Sequence, residues 1–165
     1  MRAVNEAEDP IRLDIRDWLL AEGWKLSERE HAHARWILVG EDSGNRRILV
    51  ARARFPAEQV RIQATVELSV LHREQFAALP ASLRESVLWD IRQRLLSMHV
   101  EFAGVGLPLE RVHLNQRIYL DGLTRDAFIQ RVLQVKDAMI SVIWYVLRHL
   151  GQEPPPTPRG DFMLH

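Results

Sequence analysis

The chain has 165 residues, enough for one domain whose core needs no disulfide or metal staple. It has no cysteine, which excludes a disulfide framework, a thiolate metal site and a cysteine nucleophile. Lysine plus arginine equals aspartate plus glutamate at 22 each, so no global field steers the chain toward nucleic acid or an anionic membrane.

Residues 1–9 read as an N-terminal extension. Glu6, Glu8 and Asp9 are acidic and no apolar run is present, so neither a signal nor a transit peptide is expected and the cytoplasm is the default location. The longest apolar-rich stretch, Met139 to Leu147, is far shorter than the roughly 20 residues a membrane span needs. A single α+β domain is expected over residues 10–151.

Asp9-Pro10 is a helix start, a capping side chain followed by the residue preset for the first helical position. Ile11, Ile15, Trp18 and Leu19 recur at helical spacing, and Gly23 stops the helix. Trp24 and Leu26 form a short alternating lead-in. Arg35 to Gly40 is an apolar run, Glu41 to Asn45 a polar turn, and Arg47 to Phe55 a second strand broken by Pro56. Val60, Ile62, Ala64, Val66 and Leu68 alternate with Arg61, Gln63, Thr65 and Glu67, the clearest half-buried strand in the chain. The short connections favour an antiparallel meander.

His72 to Leu79 is expected to form a helical turn or two ended by Pro80. Ser82-Leu83-Arg84-Glu85 is a capping-box pattern that opens a helix to about Met98. Val100 to Val105 and Arg111 to Leu120 read as strands separated by Gly104, Gly106 and Pro108. Leu123, Thr124 and Phe128 form a hydrophobic staple around a Thr cap, starting a long helix that ends at Gly151. The expected order is α-β-β-β-α-β-β-α. Residues 152–165, with four prolines between Gln152 and Gly160, read as an extended tail ending in the apolar Phe162-Met163-Leu164.

Metalloprotease, serine-hydrolase, P-loop and EF-hand patterns are all missing. Gly104-Val105-Gly106 lies between strands, whereas a dinucleotide fingerprint must open a helix, so it reads as a flexible bend. His31 and His33, two apart on an extended chain, are the best metal candidates, with Glu28, Glu30, His72, His99 and His113 available as co-ligands. Spacing commits none of these, so no metal and no cofactor is expected. Glu41-Asp42-Ser43-Gly44-Asn45 holds turn residues with too few oxygens for calcium. Arg52 and Arg54 share one face of their strand and Arg61 lies on the polar face of the next, so the three are expected to gather as an anion patch on the open sheet face. No aromatics accompany them outward, which argues against single-strand binding.

On the helix from Arg125, apolar residues from Phe128 to Leu147 span an arc of about 200°, interrupted by Lys136. One sheet contact needs about half that width, so a second partner is required, most simply the first helix or else another subunit. On the helix after Pro80, Leu83, Val87, Leu88, Ile91 and Leu95 form a core stripe. Trp89 and Leu96 lie nearly opposite it, with Arg92 between them and Glu85 below. A Trp and a Leu aligned with an Arg have the composition of an interface centre.

From about Ile11 to Gly151 the chain resembles an uncharacterised archaeal and bacterial domain-of-unknown-function family. The segments that carry the likeness are Ile15-Arg16-Asp17-Trp18-Leu19, Leu88-Trp89-Asp90-Ile91-Arg92, Val100-Glu101-Phe102, Leu120-Asp121-Gly122-Leu123-Thr124 and Val142-Ile143-Trp144. In topology alone it is similar to the type III secretion chaperones, small α+β proteins that dimerise and hold partner segments. That resemblance implies a dimer and carries over no catalytic residue.

The expected function is therefore a non-enzymatic, homodimeric protein-binding module with a chaperone-like role, its contact at Glu85, Trp89, Arg92 and Leu96. The alternatives are an enzyme with an unrecognised site and a weak anion or RNA binder using Arg52, Arg54 and Arg61.

Overall fold

The computed structural model describes residues 9–151. Helix α1, Pro10–Ala21, starts as its sequence implies: the Asp9 carboxylate accepts from the Ile11 N–H at 3.0 Å, and Pro10 takes the first helical position. Four strands follow: β1, Lys25–Arg29; β2, Ala34–Glu41; β3, Arg47–Ala53; and β4, Gln59–Glu67. Helices α2, Val70–Ala77, and α3, Ala81–Ser97, come next. Then come β5, Glu101–Ala103; β6, Arg111–Tyr119; a 3-10 turn at Leu120–Gly122; and α4, Arg125–His149.

The molecule is α+β, with one six-stranded antiparallel sheet in the order β1-β2-β3-β4-β6-β5. The observed element order, α-β-β-β-β-α-α-β-β-α, corrects the expected α-β-β-β-α-β-β-α at two places. The lead-in at Trp24 and Leu26 continues into a full strand, β1, which pairs with β2 from Lys25↔Glu41 to Arg29↔Ile37. Four of its five residues are exposed, so no alternation marks it in the sequence. The turns expected from His72 form a two-turn helix that starts earlier, because the Ser69 hydroxyl caps it by accepting from the His72 N–H at 3.2 Å.

The capping box at Ser82 is also not formed. Helix α3 begins at Ala81, and the Pro80 carbonyl accepts from the Leu83 and Arg84 N–H groups at 3.0 Å each. Proline, held extended at ψ 142°, sets the entry angle itself, and Ser82 falls inside the first turn. At α4 the expected cap is present: Thr124 Oγ1 accepts from the Ala127 N–H at 3.2 Å.

One sheet face carries Leu38, Ile48, Val50, Val60, Ile62, Val112, Leu114 and Ile118, all buried. Helix α1 lies against β1 and β2, α4 against β4 and β6, and α3 against β5. Gly40 leaves room for the Trp24 ring, whose edge would lie 3.1 Å from a β-carbon there. Phe128, fully buried, meets Trp18 with ring centroids 5.9 Å apart and joins α4 to α1. Gly104, at φ 84°, turns the chain so closely onto β6 that a side chain would strike the Arg111 carbonyl. The bend expected at Gly104 to Gly106 is thus a specific backbone turn.

Residues 1–8 and the Pro-rich tail, with its apolar Phe162-Met163-Leu164, lie outside the described residues.

Candidate interaction surface

Helix α3 buries Val87, Leu88, Ile91 and Leu95. At 100° per residue Trp89 and Leu96 fall on one line on the other side, and each is 59% exposed. Glu85 is exposed beside them. Arg92 is turned elsewhere: it is half-buried, and its Nε and Nη2 donate to the Val105 carbonyl at 3.1 and 2.7 Å. Its guanidinium braces the connection between β5 and β6.

Helix α4 inserts Phe128, Val132, Val135, Ala138, Met139, Val142 and Val146 into the core. Its flanks meet α1 and α3, so the wide apolar arc finds both neighbours within the chain. The Ser141 hydroxyl lies 3.9 Å from the Met98 sulfur at the α3 contact. Leu133 and Trp144 remain 42% exposed on the outward side. Lys136, the one break in the arc, reaches Asp42 Oδ2 at 3.0 Å and lies over the Trp24 ring at 5.8 Å. Asp42 Oδ1 accepts from the Gly44 and Arg46 N–H groups at 2.9 Å each. The turn between β2 and β3 is thereby tied to α4.

Arg52, Arg54 and Arg61 do not form one patch. Arg52 pairs across the sheet with Val60, and its alternation partners Ile48 and Val50 are buried, so it points to the helix side. There it meets Asp9 Oδ2 at 2.8 Å and the Ala57 carbonyl at 2.8 Å, while the Trp36 indole N–H donates to Asp9 Oδ2 at 2.9 Å. Arg61 pairs with Ala51 and Arg117 on the open face. Arg54 turns to the β1–β2 connection, its Nε donating to the Ala32 carbonyl at 3.1 Å.

The carboxylates follow their surroundings. Burial pushes Asp9 up, but the bonds from Trp36, the Ile11 N–H and Arg52 together outweigh it and hold Asp9 below the ordinary carboxylate value. Asp42 behaves alike, with burial opposed by the Arg46 N–H, Lys136 and the Gly44 N–H. Glu101, on the open face, is lowered chiefly by the Asn115 amide, against a smaller burial effect, with Arg117 and Arg61 adding to it. Neither buried cluster was foreseen in the sequence, because each joins residues far apart in the chain.

His31 and His33 have ring centroids 5.5 Å apart, with His31 Nδ1 accepting from the His33 N–H at 3.3 Å. Two of the available co-ligands are engaged elsewhere: Glu28 pairs with Arg12, and His113 Nδ1 faces Thr65 Oγ1 at 3.2 Å. Among the described residues no group of three or more His, Cys, Asp or Glu side chains could hold a metal ion. No helix among them is long and apolar enough to cross a membrane.

The fold is shared by an uncharacterised protein from Methanothermobacter thermautotrophicus, at 24% identity and a TM-score of 0.79, covering 86% of this chain and 99% of that one. It is also similar to YbjN of E. coli, a candidate transcription regulator, at 15% identity and a TM-score of 0.50, covering 86% and 93%. No curated protein matches the chain. The model of the uncharacterized conserved protein family DUF2299 matches residues 11–146, nearly the whole folded unit from α1 to the last turn of α4, and the chain belongs to that family.

Proposed function

We propose that this chain is a non-enzymatic protein-binding module that acts as a homodimer, with the Glu85, Trp89 and Leu96 face of α3 as its contact. The observation that carries this reading is the pair Trp89 and Leu96, each 59% exposed on the side of α3 away from its buried stripe. The monomer's own core has no means of covering them. A two-fold contact would set each pair against its copy, with the exposed Glu85 at the rim. Burying a Trp and a Leu in this way contributes on the order of a few kcal/mol, part of which offsets the entropy of association. Equal numbers of acidic and basic residues, 22 each, leave little net repulsion between copies.

The test is the double variant Trp89→Asp with Leu96→Asp, followed by light scattering and circular dichroism. The wild type is expected to be dimeric at high micromolar concentration and the variant monomeric with an unchanged spectrum. A variant that stays dimeric moves the contact to the outward face of α4 at Leu133 and Trp144. A wild type already monomeric at that concentration removes the dimer.

A further inference from the structure

A basin of about 420 Å³ opens beside the connection between β1 and β2, lined by Arg29, Glu30, His31, Arg35, Trp36 and Arg54 among others. Among the described residues its lining includes three arginines and one glutamate. The backbone builds this arrangement. Strand β2 carries a bulge: Ala34 pairs with Ala53 and Trp36 with Arg52, so Arg35 is an extra residue without a cross-strand partner. Bulges bend a strand and re-aim a side chain, and Arg35 lines the basin. Arg54 is held over the connection twice, by its N–H to the His33 carbonyl at 2.9 Å and by its Nε to the Ala32 carbonyl at 3.1 Å. Behind them the buried Trp36 is locked by its bond to Asp9, which Arg52 also grips. A fixed floor thus carries a cationic rim.

Three arginines of the sheet differ. Arg47 is paired with Glu41, Arg117 with Glu101, and Arg111 with Glu67, each of which cancels its charge locally. Among the described residues Arg29 and Arg35 are in no ion pair. Two guanidinium groups in no ion pair among the described residues, on a basin within the usual volume range of small-ligand sites, match a compact dianion better than a chain of separated charges.

We infer that this basin binds the phosphate group of a small phosphorylated molecule. Free inorganic phosphate and a phosphate ester share that chemistry, and the titration separates them. The full chain, labelled with ¹⁵N, is titrated with inorganic phosphate, ribose 5-phosphate and adenosine monophosphate, with ribose and adenosine as unphosphorylated controls. Saturating shifts are expected at the amides of residues 29–36 and 54 with the phosphorylated probes and not with the controls. Esters binding tighter than inorganic phosphate assign the site to a phosphorylated metabolite, and equal affinities assign it to phosphate itself. Arg29→Gln and Arg35→Gln, both at exposed positions, are each expected to weaken binding about tenfold, the loss of a charge-assisted hydrogen bond. Arg94→Gln, an equal change of net charge on α3, is expected to leave it unchanged. Shifts scattered over the surface, equal weakening by Arg94→Gln, or no saturation by about 10 mM overturn the proposal. Saturation by single-stranded RNA alone also overturns it and makes the rim part of a nucleic-acid surface.

Discussion

The sheet side and the outer helix side of this molecule invert the simple rule of polarity. Beneath the helices lie two buried carboxylates, Asp9 and Asp42, and on the outside of α3 and α4 lie Trp89, Leu96, Leu133 and Trp144. The buried charges are fully engaged. Asp9 takes an indole N–H, a backbone N–H and a guanidinium, and Asp42 takes two backbone N–H groups, an ammonium and a guanidinium. The exposed apolar side chains each keep two fifths or more of their surface uncovered within the described residues. A satisfied buried ion is accounted for by the fold it holds together, whereas an uncovered aromatic calls for a partner.

The contrast breaks most sharply at the aspartates. Asp42→Ala leaves Lys136 and the turn amides without their acceptor and is expected to cost about 3 kcal/mol, measured by urea unfolding; Asp9→Ala strands Arg52 and the Trp36 indole and is expected to cost a similar amount. A loss under about 0.5 kcal/mol would show that these clusters are ornaments of the surface.

Acid gives the second test. Both carboxylates titrate lower in the folded chain than in the unfolded one, where an aspartate protonates near 3.9. Their contribution is therefore whole above that value and is lost as pH falls through the lower folded value. Unfolding midpoints are expected to hold between pH 7 and 5 for these two groups and to drop below about pH 4. In Asp42→Asn that acid-side drop should be shallower than in the wild type, and an identical profile would remove Asp42 from the account.

The mildest change is expected at two serines flanking α2. Ser69→Ala removes the α2 cap and is expected to cost about 1 kcal/mol. Ser82→Ala, inside the first turn of α3, is expected to change stability by less than about 0.5 kcal/mol. Chemical denaturation of the two variants side by side distinguishes a working cap from a sequence that merely has the letters of one.

Those serines also indicate how far the sequence could be read. The Asp9 and Thr124 caps, the alternation of β4 and the inward arc of α4 all express a strong local period or cap, and the structure follows them. Strand β1 is nearly all exposed and has no period to detect. Arg52 was legible by position, because it continues the inward line of Ile48 and Val50, but its residue type pointed outward. Only the distant Asp9 explains why a guanidinium is tolerated there. On α3 the helical wheel placed Trp89 and Leu96 away from the core correctly. It had no way to foresee Arg92 turning to a carbonyl thirteen residues on, across a strand boundary.

The ends of the sheet bear on what kind of assembly a two-fold contact would make. Strand β5 is three residues long, and β1 carries Lys25, Glu28 and Arg29 along five residues. Short, charged borders give an incoming strand little to template on. Growth by strand addition is thereby discouraged at both flanks, and copies that meet through α3 would close as a pair instead of seeding a fibre.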